Sequence, residues 1–166
     1  DLMIDLATLT GAARVALGPQ LPALFSNRFE LARELMDLGL KIGDPLWHMP
    51  LWQGYQGAIE SSIGRIVNTG STPQGGAINA ALFLEHFVPA SVDWLHVDLF
   101  AWNSGSRPGR PAGGEAQTIR ALLAGEEVIA PHKQSRALLA MFPQLDAAAL
   151  DEVNRGVKRR EGWDRG

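Results

Sequence analysis

The sequence has no cysteine, no long apolar run and no excess of basic residues. Without cysteine, the 166-residue chain forms neither disulfides nor thiolate metal sites, which fits a reducing compartment. No apolar stretch is long enough to span a bilayer, and no signal-peptide pattern opens the chain. The formal net charge of -3 argues against nucleic-acid binding, because nucleic-acid-binding proteins normally carry a basic excess.

The remaining composition is that of a single globular domain. Hydrophobic residues make up 46% of the chain and charged residues 20%, both ordinary values. The sequence does not begin with methionine and opens inside an apolar run. We therefore expect it to be a fragment of a longer chain.

The first eleven residues contain the most informative local pattern. Residues 2–7 form a short, largely apolar run that predicts a strand buried on both faces. Thr8, Leu9, Thr10 and Gly11 then end the run with hydroxyls and a glycine that permits close backbone approach. Ligands of open α/β sheets bind beyond the carboxyl ends of strands, so this turn is a candidate site. The alternative is an ordinary strand-to-helix turn whose threonine hydroxyls cap the next helix.

Strand and helix patterns alternate along the rest of the chain, which favours an α/β fold. Further strands are predicted at residues 21–26, 63–67 and 92–100. Helices are predicted at residues 28–41 with Asn27 as N-cap, 55–62, 77–88, 115–123, 132–141 and 145–155.

Two segments require a choice between a structural and a ligand-binding interpretation. Residues 45–52 are rich in proline and aromatics, and we expect Trp47 and Trp52 to anchor the core rather than stack on a ligand. Residues 68–76 are rich in glycine, but no Lys-Ser/Thr pair follows and no dinucleotide-binding spacing is present. We expect this loop to let the helix over residues 77–88 dock tightly.

His96 and Asp98 are the most prominent pair of candidate metal ligands. Their spacing of two on a predicted strand points both side chains to the same face. The alternative, which we favour, is that both are hydrogen-bonded and hold neighbouring loops. There is no Gly-x-Ser-x-Gly motif, so a serine hydrolase has no local support.

Four segments occur in an order typical of one enzyme family. They are residues 4–12 (IDLATLTGA), 45–52 (PLWHMPLW), 75–84 (GGAINAALFL) and 94–99 (WLHVDL). Together they resemble the leucyl aminopeptidase (cytosol aminopeptidase) family of two-metal exopeptidases. The resemblance covers roughly residues 1–123.

The resemblance implies the C-terminal part of an aminopeptidase catalytic domain. That domain has a mixed sheet flanked by helices in a zinc-peptidase-like three-layer architecture. Residues 1–125 would belong to the peptidase catalytic domain, and residues 126–166 would be a helical C-terminal extension of it. The implied enzyme is a cytoplasmic homo-hexamer that removes N-terminal residues from peptides. The attacking water would be activated by two divalent metal ions, zinc or manganese, with assistance from bicarbonate.

The resemblance also places the catalytic residues outside this chain. The family's carboxylate and lysine ligands precede the strand that opens the sequence, so no catalytic or metal-ligating residue is assigned here and the chain alone is expected to be inactive. Thr8, Leu9 and Gly11 match positions that contact the peptide substrate. Leu9 would accept a hydrogen bond through its backbone carbonyl, and Gly11 would leave room for the substrate side chain.

The sequence departs from the family pattern after Leu99. The usual Ala-Gly is replaced by Phe100-Ala101, and Asn103 follows two residues later. Phe100 and Asn103 would then line the side-chain pocket, and the ring would disfavour large substrate side chains such as leucine. The alternative is that Phe100 points into the core.

Two other functions compete with the peptidase interpretation. One is an aminopeptidase-like module that has lost catalysis and serves binding or oligomerisation. The other is a non-peptidase hydrolase on a similar α/β core, since a fold does not determine a function.

Overall fold

The computed structural model describes residues 1–68 and 70–125. The strands are β1 (Leu2–Ala7), β2 (Ala23–Ser26), β3 (Trp47–His48), β4 (Asp93–Asp98), β5 (Trp102–Asn103) and β6 (Gly113–Gly114). The helices are α1 (Gly11–Leu17), α2 (Phe29–Lys41), α3 (Gly76–Glu85) and α4 (Ile119–Ala124), and a 3-10 helix spans Gln53–Ala58. The helices predicted over residues 132–141 and 145–155, and the proposed extension over residues 126–166, lie outside the described residues.

The first four strands form one mixed sheet in the order β1-β4-β2-β3. β1 is parallel to β4, β2 is parallel to β3, and β2 is antiparallel to β4. The predicted strand over residues 2–7 is confirmed. Its predicted burial on both faces is not, because Leu2 and Ile4 are buried whereas Met3 is exposed.

Helices cover both faces of the sheet. On one face, Leu31 and Leu35 of α2 and Leu122 of α4 pack with Leu24 and Val97 of the sheet. The other face has a second, smaller apolar cluster, whose members come from α1, α3 and β2: Ala13, Ala77, Ala81, Ala23 and Phe25. The predicted mixed sheet between helical layers is therefore confirmed.

Close packing of α1 against α3 depends on a glycine. A Cβ atom added to Gly76 would lie 3.2 Å from the Cβ of Ala12, closer than ordinary van der Waals contact. The predicted tight docking of the helix after the glycine-rich loop is confirmed at this position.

The predicted core role of Trp47 and Trp52 is wrong. Their exposed fractions are 46% and 60%, whereas the neighbouring Leu46 is fully buried. Trp47 belongs to the two-residue strand β3, which pairs only with β2 among the described strands. Successive side chains of a strand point to opposite faces, so Leu46 enters the core and Trp47 faces outward.

The strand predicted over residues 63–67 is also wrong. Ile63 is 99% exposed, and the segment forms only an isolated bridge between Glu60 and Ile66. The hydroxyl of Ser61 accepts hydrogen bonds from the backbone N–H groups of Ile63 and Gly64. These local side-chain bonds replace the ladder that a strand requires. The helix predicted over residues 55–62 is a 3-10 helix that begins and ends earlier.

The predicted capping of α2 by Asn27 is wrong, because Arg28 occupies the N-cap position. The Asn27 side chain instead bridges to β4, where its Oδ1 accepts from the Trp94 N–H at 2.8 Å and its Nδ2 donates to the Val92 carbonyl at 2.9 Å. Asn27 thus joins the end of β2 to the start of β4.

The segment after β4 is predicted as a loop, and it contains the short antiparallel pair β5–β6. Arg107 and Arg110 both form ion pairs with the carboxylate of Glu115, with 3.0 Å between Arg107 Nη2 and Glu115 Oε2. These contacts hold the loop against the residues that lead into α4.

Candidate substrate-binding site

The turn between β1 and α1 lies beyond the carboxyl end of β1. Thr8 and Leu9 are exposed there, and Leu9 has an exposed fraction of 42%. A Cβ atom added to Gly11 would meet no atom within 4 Å, so the space beside its backbone is open. The three positions predicted to contact substrate therefore form one accessible stretch of chain.

A buried carboxylate accepts hydrogen bonds from this turn. Asp98, the last residue of β4, is 2% exposed. Its Oδ1 accepts hydrogen bonds from the N–H groups of Leu9 and Thr10, both at 3.1 Å, and its Oδ2 accepts from the Thr10 hydroxyl at 2.6 Å. Hydrogen bonds to an ionised acceptor are stronger than neutral ones.

Thr10 also caps α1. Its Oγ1 accepts a hydrogen bond from the N–H of Ala13 at 3.1 Å, and its backbone is extended, as the N-cap position requires. The predicted capping role of a threonine hydroxyl is confirmed. It does not compete with the site interpretation, because the exposed residues Thr8 and Leu9 remain accessible.

Phe100 lies beside α1 rather than within the core. It is half-buried, belongs to neither apolar cluster, and has the Arg14 guanidinium carbon 4.7 Å from its ring centroid. This is the geometry of a cation–π contact. Arg14 lies three residues after Gly11 on α1, which places both on the same side of that helix.

Asn103 is buried, with an exposed fraction of 7%. Its side-chain Nδ2 donates to the carbonyls of Arg110 and Pro111, at 3.0 and 2.9 Å. The amide therefore holds the turn between β5 and β6. The role of Asn103 and Phe100 in a substrate pocket stays a prediction.

His96 and Asp98 point to the same face of β4, as their spacing predicts, but they have different partners. His96 is fully buried, and its Nδ1 lies 2.5 Å from Oδ1 of Asp5 on the adjacent strand. The second oxygen of Asp5 accepts from Trp94 Nε1 at 2.7 Å. Both side chains are hydrogen-bonded, as the favoured interpretation predicts. Asp98 holds a neighbouring turn, which confirms its predicted role, whereas His96 is bonded to a strand rather than to a loop.

Sequence reasoning missed Asp5 and Arg14. Asp5 is the single carboxylate within the apolar strand β1, and a carboxylate in that position requires a buried partner. That signal could have identified Asp5. Nothing in the sequence distinguished Arg14 from other arginines on helices.

The described residues do not fit a metal ion. Among residues 1–68 and 70–125, no group of three or more His, Cys, Asp or Glu side chains is placed to hold one.

Burial lowers the pKa of His48 below its usual value of 6.5. This histidine lies edge-on to the Phe29 ring, with 5.5 Å between ring centroids.

No helix of residues 1–68 and 70–125 has both the length and the apolar character needed to cross a membrane.

A mixed sheet between two helical layers, with an exposed turn beyond a strand's carboxyl end, defines an α/β domain of the kind that binds ligands at its sheet edge. The model of the cytosol aminopeptidase family, catalytic domain, matches residues 1–123. The chain belongs to the cytosol aminopeptidase family, as its motifs predict.

Curated relatives agree with this assignment. A probable cytosol aminopeptidase of Desulfovibrio desulfuricans is 43% identical over 123 residues, which cover 73% of this chain and 24% of that protein. Leucine aminopeptidase 2, chloroplastic, of Oryza sativa subsp. japonica is 45% identical over 109 residues, 64% of this chain and 18% of that protein. The chain thus spans between about a fifth and a quarter of the length of these curated relatives.

Solved structures share the fold. The cytosol aminopeptidase of Coxiella burnetii is 52% identical with a TM-score of 0.72, over 76% of this chain and 28% of that one. The bottromycin maturation enzyme BotP, solved in complex with Mn, is 35% identical with a TM-score of 0.69, over 74% of this chain and 27% of that one. The predicted aminopeptidase catalytic-domain fold is therefore confirmed.

Proposed function

We propose that the chain forms the substrate-binding part of a metal-dependent aminopeptidase that removes N-terminal residues from peptides. The observation that carries this proposal is the exposed turn over Thr8–Gly11 in a segment that matches the family's catalytic domain over residues 1–123. The described residues contain no metal-ligand set. The part of the reaction that we assign to them is therefore recognition of the peptide.

In this proposal the turn contacts the N-terminal residue of the substrate. The carbonyl of Leu9 accepts a hydrogen bond from the peptide, beside the exposed Thr8. The open space at Gly11 receives the substrate side chain, since a Cβ atom there would meet nothing within 4 Å. Phe100 and Asn103 form the far wall of the pocket.

Family membership supports a proposal for the rest of the enzyme. Two divalent ions, zinc or manganese, would be held by side chains other than the described ones, and bicarbonate is the proposed additional cofactor. The relatives are named cytosol aminopeptidases, which supports a cytoplasmic location. A homo-hexamer is the proposed assembly, and a peptide is the proposed substrate.

A graft into a relative tests this function directly. The matched part of the Coxiella burnetii enzyme, which is 52% identical, is replaced by residues 1–123 of this chain, and the product is called the graft enzyme. We expect the graft enzyme to release N-terminal amino acids from dipeptides when Zn²⁺ or Mn²⁺ is present, and to lose this activity with a chelator. We expect the 166-residue chain alone to release none.

Two glycine variants show whether the turn is the binding surface. Gly11→Val fills the space proposed for the substrate side chain and should lower kcat/KM by about tenfold or more. Gly57→Val is the matched control, because a Cβ atom at Gly57 also meets nothing within 4 Å but lies in the 3-10 helix. A folded graft enzyme without activity would contradict the proposal and favour the alternative, a catalytically inactive aminopeptidase-like module for binding or oligomerisation.

A further inference from the structure

The carboxylate of Asp98 uses both of its oxygens on a single turn. Oδ1 accepts from two consecutive backbone N–H groups, those of Leu9 and Thr10, and Oδ2 accepts from the Thr10 hydroxyl. Asp98 lies opposite Ala7, the last residue of β1, in the parallel register. The carboxylate thus sits at the point where the backbone leaves the sheet and enters the turn.

These hydrogen bonds determine where the Leu9 carbonyl points. The Leu9 C=O and the Thr10 N–H belong to one peptide unit, and in a planar trans peptide the two groups point in opposite directions. The Thr10 N–H is directed at the buried carboxylate of Asp98. The Leu9 carbonyl is therefore directed away from the buried edge of the sheet.

The same argument applies one residue earlier. The Leu9 N–H also points at Asp98, so the Thr8 carbonyl in that peptide unit points away from it. Both Thr8 and Leu9 are exposed. Two successive carbonyls are thereby presented as acceptors on the accessible side of the turn.

We propose that Asp98 is a positioning residue for the peptide substrate: its carboxylate fixes two peptide planes so that the carbonyls of Thr8 and Leu9 face the peptide's N–H groups. This inference rests on the proposed function of the turn. Asp98 touches no substrate itself and acts through the backbone. A carboxylate suits the task because it only accepts, and its three partners here are all donors.

Four substitutions grade the loss of these contacts. Asp98→Ala removes every acceptor. Asp98→Asn keeps one oxygen for the two N–H groups but places an amide against the Thr10 hydroxyl. Thr10→Val removes only the hydroxyl, and Thr10→Ser retains it.

The first readout is hydrogen exchange in the full 166-residue chain. We expect Asp98→Ala to speed exchange of the Leu9 and Thr10 amides by about tenfold or more, whereas Asp98→Asn changes it by only a few-fold. The amides of Leu24 and Val97, in the centre of the sheet, serve as controls for global unfolding. Unchanged exchange at Leu9 and Thr10 in Asp98→Ala would overturn the proposal.

The second readout is the kinetics of the graft enzyme. A carbonyl that binds substrate equally in the ground state and the transition state affects KM and leaves kcat nearly unchanged. We expect KM to rise about tenfold in Asp98→Ala, less in Thr10→Val, and to return to the parent value in Thr10→Ser. Faster exchange at the turn with an unchanged KM would show that Asp98 holds the turn without serving substrate, and would overturn the proposal.

The two readouts separate this inference from the proposed function. If the parent graft enzyme releases no amino acid, the proposed function fails, and the positioning role for substrate is overturned with it. Hydrogen exchange then still reports whether Asp98 fixes the turn. If the parent graft enzyme is active, kinetics and hydrogen exchange together test only the positioning role of Asp98.

Discussion

Asp5 and His96 lie opposite each other on the parallel strands β1 and β4, with 2.5 Å between Asp5 Oδ1 and His96 Nδ1. The His96 ring stacks on the rings of Phe25 and Trp94, with ring centroids 5.9 Å apart in each case. Asp5 also accepts from the Trp94 indole N–H. One carboxylate therefore pairs with a ring nitrogen on each of two buried side chains of the neighbouring strand.

We predict that Asp5→Ala destabilises the chain by about 1–3 kcal/mol, because it leaves His96 Nδ1 and Trp94 Nε1 without their acceptor. Asp5→Asn should cost less, since its carbonyl oxygen can still accept one of the two bonds. Urea denaturation measures the free energy of unfolding. Asp37→Ala on the exposed side of α2 is the control and should change that free energy by less than about 0.5 kcal/mol. Equal midpoints for the Asp5 and Asp37 variants would contradict the prediction.

Gly39→Ala in α2 should also be destabilising, although alanine favours helices. A Cβ atom at Gly39 would lie 2.6 Å from the Asp44 carbonyl oxygen and 3.2 Å from Leu46 Cδ2. Overpacking costs about 1–3 kcal/mol. We expect the upper part of that range, because the closest atom belongs to the backbone, and this exceeds the roughly 1 kcal/mol gained in helix propensity. The predicted result is a lower thermal midpoint.

Gly57→Ala tests whether the effect comes from packing. Its added Cβ meets nothing within 4 Å, so the midpoint should change little. A Gly39→Ala variant as stable as Gly57→Ala would show that the α2–Leu46 contact can relax at no cost.

The sequence predicted those parts of the fold that depend on local pattern. The strand of residues 2–7 followed from its apolar run, and α2 from apolar residues at helical spacing. The Thr10 cap followed from residue type at a strand-to-helix turn. Each of these features is determined by neighbours within a few positions of the chain.

Features that depend on distant pairing could not be predicted. The Asp5–His96 bond joins residues 91 positions apart, and it exists only because β1 and β4 pair in a particular parallel register. The exposure of Trp47 depends on β3 lying next to β2 in the sheet. The direction of the Phe100 side chain depends on the path of the chain just after β4 ends. The prediction that Trp47 is buried was based on its apolar, aromatic character alone, and that prediction was wrong.

Stability should depend on pH through His48. Burial lowers the pKa of His48 in the folded chain below 6.5, so the unfolded state binds the proton more readily. The contribution of neutral His48 to stability is therefore fully present above pH 6.5 and is lost as the pH falls toward the folded pKa. We expect His48→Gln to show a smaller drop in thermal midpoint than the parent between about pH 7.5 and about pH 5.

His86→Gln is the matched control for this measurement, because His86 is exposed at the end of α3. It controls for the loss of an imidazole at an exposed position, and the change seen in His48→Gln is compared with it. If His48→Gln and the parent lose the same stability on acidification, His48 does not contribute to the pH dependence.

Phe100 provides the test of substrate preference. If its ring forms a pocket wall, Phe100→Ala in the graft enzyme enlarges the pocket, and kcat/KM for N-terminal leucine should rise about tenfold relative to N-terminal alanine. The variant also removes the ring from beneath the Arg14 guanidinium, a contact worth about 0.5–1 kcal/mol at an exposed site. A slightly lower thermal midpoint should therefore accompany the change in preference.

Trp102→Ala controls for the loss of an aromatic ring in the same segment of the chain, because Trp102 lies two residues after Phe100 and is exposed. It should leave the leucine-to-alanine ratio unchanged. Two outcomes then separate the roles of Phe100. A changed ratio with Phe100→Ala alone means that the ring limits the size of the substrate side chain. A lower midpoint with an unchanged ratio means that Phe100 serves only to pack against Arg14, and the departure from the family's Ala-Gly pattern then has a structural rather than a selective consequence.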